Sequence, residues 1–132
     1  MTDKEYTKQK KRLQKYIDLW FDPMGMNWFK IDLHYHRQRD EDNPRVAGKT
    51  ETHWEYRMAD IDWYMPSIAD AEDWYLESMV IHEFVHVLIA PVMNVDTQES
   101  LSLCHEYATE SISRAFQWVK ESIEKQYTKK AP

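Results

Sequence analysis

Met79-Val80-Ile81-His82-Glu83-Phe84-Val85-His86-Val87-Leu88-Ile89 sets two histidines and a glutamate in the most apolar run of the chain. Residues four apart lie on one face of an α-helix, one turn from each other, so both imidazoles reach a single ion while Glu83 projects beside them. Such a trio in such a run calls for a chemical reason, because burying an unpaired carboxylate carries a desolvation cost. Zinc supplies one. In a catalytic site it takes three protein ligands and leaves the fourth position to water, whose pKa falls to roughly 7. A carboxylate one residue after the first ligand reaches that water without capturing the ion, which casts Glu83 as a general base.

A third ligand is expected downstream, where Glu99, His105, Glu106 and Glu110 stand. Ile89 and Val92 occupy the positions at which the metzincin continuation needs Gly and His, so that pattern is excluded. The segment resembles a gluzincin, the thermolysin-like division of zinc peptidases, in which a Glu about twenty residues beyond the second His completes the metal site; Glu106 stands at that distance from His86. The resemblance implies His82, His86 and Glu106 as the zinc ligands. It also places an acidic residue one helical turn after the ligand Glu, to accept the free ring N–H of the first His. Glu110 occupies that place, with Glu where the family usually has Asp. An outer carboxylate of this kind fixes the imidazole tautomer and raises its basicity. His105 is the alternative third ligand, as in the SprT-like zincins that use three His. Glu99 reads as part of a capping box, Asp96-Thr97-Gln98-Glu99. The resemblance covers residues 79 to 110, and nothing before it matches thermolysin.

The rest of the chain suits a small body around that segment. Its 132 residues allow one domain, 1–132, and no second one of normal size. A content of 42% hydrophobic and 14% aromatic residues belongs to a folded globule. The balance of 17 basic against 23 acidic residues gives a net charge of −6, which argues against nucleic acid or an anionic membrane as the main partner. Lys4, Lys8, Lys10, Lys11, Arg12 and Lys15 interleave with Tyr6, Leu13, Tyr16, Ile17 and Trp20 and read as the solvated face of an amphipathic helix. Cys104 is the single cysteine; it has no partner for an internal disulfide and reads as core packing in a reducing compartment. With a charged start and no apolar run of membrane length, a cytoplasmic location is expected.

The periodicities predict an α+β order. Thr2 to Glu5 has the form of a capping box, opening a helix that runs to about Phe21 and stops at Asp22-Pro23 and Gly25. Phe29, Ile31, Leu33 and Tyr35 alternate with Lys30, Asp32, His34 and His36, the period of a half-buried strand. His34 and His36 point the same way and read as its polar face rather than a second metal site. A charged loop follows from Arg37 to Lys49, and the run from Thr50 to Met65 divides into two strands near Ala59-Asp60. Ser67 to Asp70 reads as a capping box for a helix from Ile68 to Ala90, ended by Pro91; a last helix runs from about Thr97 to Gln126.

The predicted order is thus an N-terminal helix, a small antiparallel or mixed sheet of about three strands, the metal helix, and a long helix carrying the third ligand. It resembles minimal zincins, such as the short prokaryotic and phage forms of the SprT-like and antirepressor-cleaving groups. That resemblance implies a peptide or protein substrate bound as an added strand along the edge of the sheet, with Ala59 to Tyr64 as the candidate edge. The implied function is a zinc endopeptidase; the alternative is a catalytically silent zincin-fold module that binds zinc and serves regulation or interaction. Glu83 discriminates between them, since a structural site closes zinc with a fourth protein ligand and has no use for an unliganded base. Tyr64, His105 and Tyr107 are the candidate donors to a developing oxyanion.

Overall fold

The first helix, α1 (Asp3–Phe21), starts where the sequence predicts, with the Thr2 hydroxyl accepting from the Glu5 amide at 3.1 Å in the computed structural model, which describes residues 1–93 and 99–130. Gln9, Leu13, Tyr16, Ile17 and Trp20 are its buried residues, the spacing of one helical face. The chain leaves it through Gly25 at φ +74°, a left-handed conformation that glycine adopts without steric cost. Lys4, Lys8, Lys11 and Lys15 are exposed as expected. Arg12 departs from that face. Its guanidinium donates to the carbonyls of Ile68 at 3.2 Å and Ala71 at 2.8 Å and to Asp73 Oδ1 at 2.8 Å, tying α1 to the corner beyond the sheet.

Three strands follow, β1 (Lys30–His36), β2 (Gly48–His53) and β3 (Met58–Tyr64), in the order β1-β3-β2. The sheet is mixed: β1 pairs with β3 in parallel, and β2 pairs with β3 antiparallel. Ala59, Ile61 and Trp63 of β3 are buried on the inner face, and Ile31, Leu33 and Tyr35 of β1 pack against the same core. On the outer face His34 and His36 bond to Asp60 and Asp62 across the parallel pair, at 2.9 and 2.7 Å, which gives each a partner and bears out the polar-face reading.

Two expectations about the sheet are corrected. The division between the last two strands falls at Trp54–Arg57, not at Ala59-Asp60: a single 3₁₀ turn closes with the Arg57 amide on the Trp54 carbonyl at 3.1 Å, and Arg57 takes a left-handed φ of +53°. Trp54 and Tyr56 are therefore exposed turn residues, and the Arg57 guanidinium lies 4.6 Å from the centre of the Trp28 ring. The second correction concerns the edge. Ala59 to Tyr64 lies in the central strand, hydrogen-bonded on both sides, so it has no free edge to offer. The edge against the metal helix is β2, whose Lys49, Thr50, Glu51 and Thr52 suit a position with one unpaired side.

The helix expected over Ile68 to Ala90 is two helices, α2 (Met65–Ala69) and α3 (Asp73–Met93). Ser67 does not cap; it is buried and donates to the Pro44 carbonyl at 3.1 Å. Arg12 occupies the carbonyls of Ile68 and Ala71, so the break between the helices leaves those acceptors satisfied. Pro91 does not end α3 but sits within its final turn. Leu76, Val80, Ile81, Phe84, Val85 and Val87 are buried almost all round α3. It is packed between α1, β2 and the last helix, α4 (Glu99–Lys130), as a helix apolar on most sides must be. Ile112 and Phe116 bring α4 onto the core, with Phe116 edge-on to Trp20 at 6.4 Å. The capping box read at 96–99 lies largely outside the described residues, as does the side chain of Cys104. Among the described residues, no helix is long and apolar enough to cross a membrane.

Candidate metal centre

His82 and His86 leave one face of α3 with ring centroids 4.8 Å apart and Nε2 atoms 3.2 Å apart. Where α4 crosses, Glu106 lays its carboxylate over both, one oxygen 3.3 Å from His82 Nε2 and the other 3.2 Å from His86 Nε2. Donors held tetrahedrally at about 2.0–2.1 Å from zinc stand about 3.3 Å from one another, and one donor atom from each of the three residues lies within 4.8 Å of the others, a spacing consistent with the ion. Two imidazoles with one carboxylate also suit zinc by chemistry, since calcium and magnesium take oxygen ligands. The chain thus has a zincin-like fold whose His82, His86 and Glu106 form a ligand cluster fit for Zn²⁺. His105, the alternative ligand, is not among the converging donors.

The surroundings prepare these donors. His82 Nδ1–H donates to Glu110 Oε2 at 3.1 Å, which leaves the Nε2 lone pair directed at the cluster. Arg114 Nε reaches the other oxygen of Glu110 at 3.3 Å, holding that carboxylate from behind. Burial pushes the His86 pKa below the ordinary histidine value, and the neighbouring His82 and His105 act in the same direction against Glu106. A neutral imidazole is the form that binds metal.

Glu83, next to His82 in the chain, is 7% exposed and shares the wall of one cleft with it. Thr50 on β2 donates its hydroxyl to Glu83 Oε2, so the edge strand fixes the carboxylate that the helix carries. Gly48 makes room for this contact: a Cβ there would meet Trp63 Cζ3 at 2.8 Å and Glu83 Cγ at 3.0 Å. Burial raises the Glu83 pKa above the usual carboxylate value, with Glu106 adding to the rise and the Thr50 bond and His82 opposing it. A buried carboxylate that is held, outside the ligand cluster, and pushed toward accepting a proton is the arrangement expected of a base.

A cleft of about 440 Å³ opens beside the cluster, with His82, Glu83 and Glu110 in its wall. Of the three candidate oxyanion donors, His105 lies near enough to His86 to influence its charge, whereas Tyr64 and Tyr107 are not in the cleft wall. Tyr64 stacks on His36 at 4.9 Å on the outer side of the sheet, where burial raises its pKa with help from Asp40, Asp62 and Asp42. Tyr107 is 78% exposed and borders a neighbouring hollow with Ser111 and Trp118, on the other side of Glu110 and Arg114. Phase explains both: Tyr64 falls on the outer alternation of β3, and Tyr107 is one residue round α4 from Glu106. The sequence reading missed Thr50, Gly48, Tyr75, Arg45 and Arg114, which carry no local signal and meet the site only through tertiary packing. Compared with models of known protein families, with curated proteins and with solved structures, the chain matches none.

The Glu110 contact gives a graded expectation. Glu110→Ala keeps all three ligands and should lower zinc affinity roughly tenfold to a hundredfold without loss of the fold, and Glu110→Gln should be milder because its amide oxygen still accepts the imidazole N–H. Competitive chelator titration reads both. Parent-like zinc affinity in Glu110→Ala would make this glutamate a surface residue only.

Proposed function

We propose that the protein is a zinc-dependent endopeptidase with Glu83 as its general base. The observation that carries this reading is the placement of Glu83: beside His82 in the chain, buried, outside the ligand cluster, and anchored through one oxygen by Thr50. Zinc, when bound, supplies Lewis acidity toward a peptide carbonyl and lowers the pKa of water to about 7. His82, His86 and Glu106 would hold it. Glu83 Oε1, the oxygen not engaged by Thr50, takes the proton of the attacking water and returns it to the leaving amine nitrogen. Glu110 keeps His82 in the tautomer that leaves Nε2 free throughout.

The free side of β2 supplies main-chain donors and acceptors to an extended peptide, and Thr50 places that strand next to Glu83. The net charge of −6 favours a protein or peptide over a nucleic acid as partner. A cytoplasmic setting accords with the lone Cys104.

The test uses the full chain loaded with zinc and a pool of unfolded proteins, with fragments read by mass spectrometry. Cleavage is expected, abolished by a chelator and restored by zinc. One zinc per chain with no cleavage of the pool would instead support the silent, zinc-binding module.

A further inference from the structure

The chain has six arginine positions, and five of them are visibly employed. Arg12 pairs with Asp73 at 2.8 Å, Arg37 with Asp3 at 2.6 Å, Arg39 with Asp70 at 2.8 Å and Arg114 with Glu110 at 3.3 Å, while Arg57 stacks on Trp28. Arg45 differs: among the described residues its guanidinium has no carboxylate, carbonyl or aromatic partner. It lines the metal cleft from the segment that leads into β2, and Glu110 and Arg114 line the same cleft from α4. A second hollow of about 220 Å³ continues from the cleft along α3 and shares Arg45, Tyr75 and Met79 with it.

The backbone at Arg45 is pinned on both sides. The Arg45 amide donates to Asn43 Oδ1 at 3.3 Å and the Val46 amide to the Asn43 carbonyl at 3.1 Å. The Pro44 carbonyl accepts from Arg39 at 3.2 Å and from Ser67 at 3.1 Å. Arg39 is itself held by Asp70, so the support beneath Arg45 reaches α2. A planar guanidinium with uncommitted hydrogen-bond donors matches a carboxylate in shape and charge, and the backbone that carries it is fixed.

We propose that Arg45 is a specificity-determining residue that receives a carboxylate of the bound peptide, so that the cleft selects substrates acidic near the scissile bond. The proposal rests on the peptidase reading above for its ligand class, and on Arg45 for its chemistry. An exposed arginine alone contributes little in water. A peptide filling the cleft removes that water, and the charge-assisted pair then discriminates an acid from its amide. The carboxylate has two sources, an Asp or Glu side chain and a free C-terminus.

The test uses unstructured peptides identical except for one residue, Asp, Asn or Lys, beside the scissile bond, each with a free or an amidated C-terminus. Cleavage is measured as kcat/KM with the zinc-loaded parent, and binding by fluorescence anisotropy with zinc-loaded Glu83→Gln protein. The Asp peptide should exceed the Asn peptide about tenfold in both readouts, and the ratio should shrink as salt is raised. In Arg45→Gln the ratio should fall toward one, and in Arg45→Glu the Lys peptide should become the best. A preference carried by the free C-terminus and indifferent to the Asp side chain assigns Arg45 to the chain end. An Asp-to-Asn ratio near one in the parent, with either terminus, or a ratio unchanged in Arg45→Gln, overturns the proposal. Discrimination in binding without cleavage keeps the subsite and removes the peptidase reading; cleavage without discrimination does the reverse.

Discussion

Glu83→Gln protein should bind one zinc per chain and hydrolyse peptide at least about a hundredfold more slowly than the parent. The amide matches the carboxylate in size and still accepts the Thr50 hydroxyl, so neither the packing against Gly48 nor the ligand cluster is disturbed. What it lacks is a site for the proton. The same substitution should stabilise the metal-free protein at neutral pH, by on the order of 1 kcal/mol, because it replaces a carboxylate whose ionised form burial disfavours. The sign follows from the raised pKa. Protonated Glu83 is accommodated below its ordinary value near 4.5, and that stability is lost as pH rises through the higher folded value. Glutamine has no such loss, so the gap in melting temperature between variant and parent should open with rising pH. Undiminished cleavage by this variant would sink the mechanism, and a melting gap independent of pH would remove Glu83 from its buried, base-like state.

The second large effect is expected at His86. His86→Ala removes one of three donors, and the zinc-dependent rise in melting temperature should vanish with the metal. For a parent held at about a thousandfold excess of zinc over its dissociation constant, that rise corresponds to about 4 kcal/mol, on the order of ten degrees. Metal-free parent and metal-free variant should melt close together, since the His86 side chain is partly exposed and is not one of the fully buried residues of the core. A variant that keeps the parent's zinc-induced shift would contradict the ligand assignment. Differential scanning calorimetry with and without zinc makes the comparison directly.

The legible features were those with a short-range period. α1 could be read from Thr2 and the spacing of Leu13, Tyr16, Ile17 and Trp20, and the ligand pair from two histidines four apart in an apolar helix. Glu106 and Glu110 were legible only through the gluzincin resemblance, which implies a ligand Glu and an outer acid one turn apart on one helix. Features set by partners distant in the chain were not. Arg12 reads as a solvated residue in the sequence because nothing near it announces the carbonyls of Ile68 and Ala71. The same contact hides the break between α2 and α3. The order of the strands depends on which inner face is most apolar in three dimensions, and so β3, with Ala59, Ile61 and Trp63 buried, took the centre that alternation alone does not assign. Thr50 and Gly48 belong to the site only because β2 returns beside α3, which no spacing around His82 encodes.

Zinc K-edge X-ray absorption of the metal-loaded parent reads the ligand set itself. A single zinc per chain is expected, with about four nitrogen and oxygen neighbours near 2.0–2.1 Å, two of them carrying the more distant scattering signature of imidazole. A third imidazole would assign His105 in place of Glu106, and a neighbour at about 2.3 Å would mean sulfur; either result contradicts the His82, His86 and Glu106 centre.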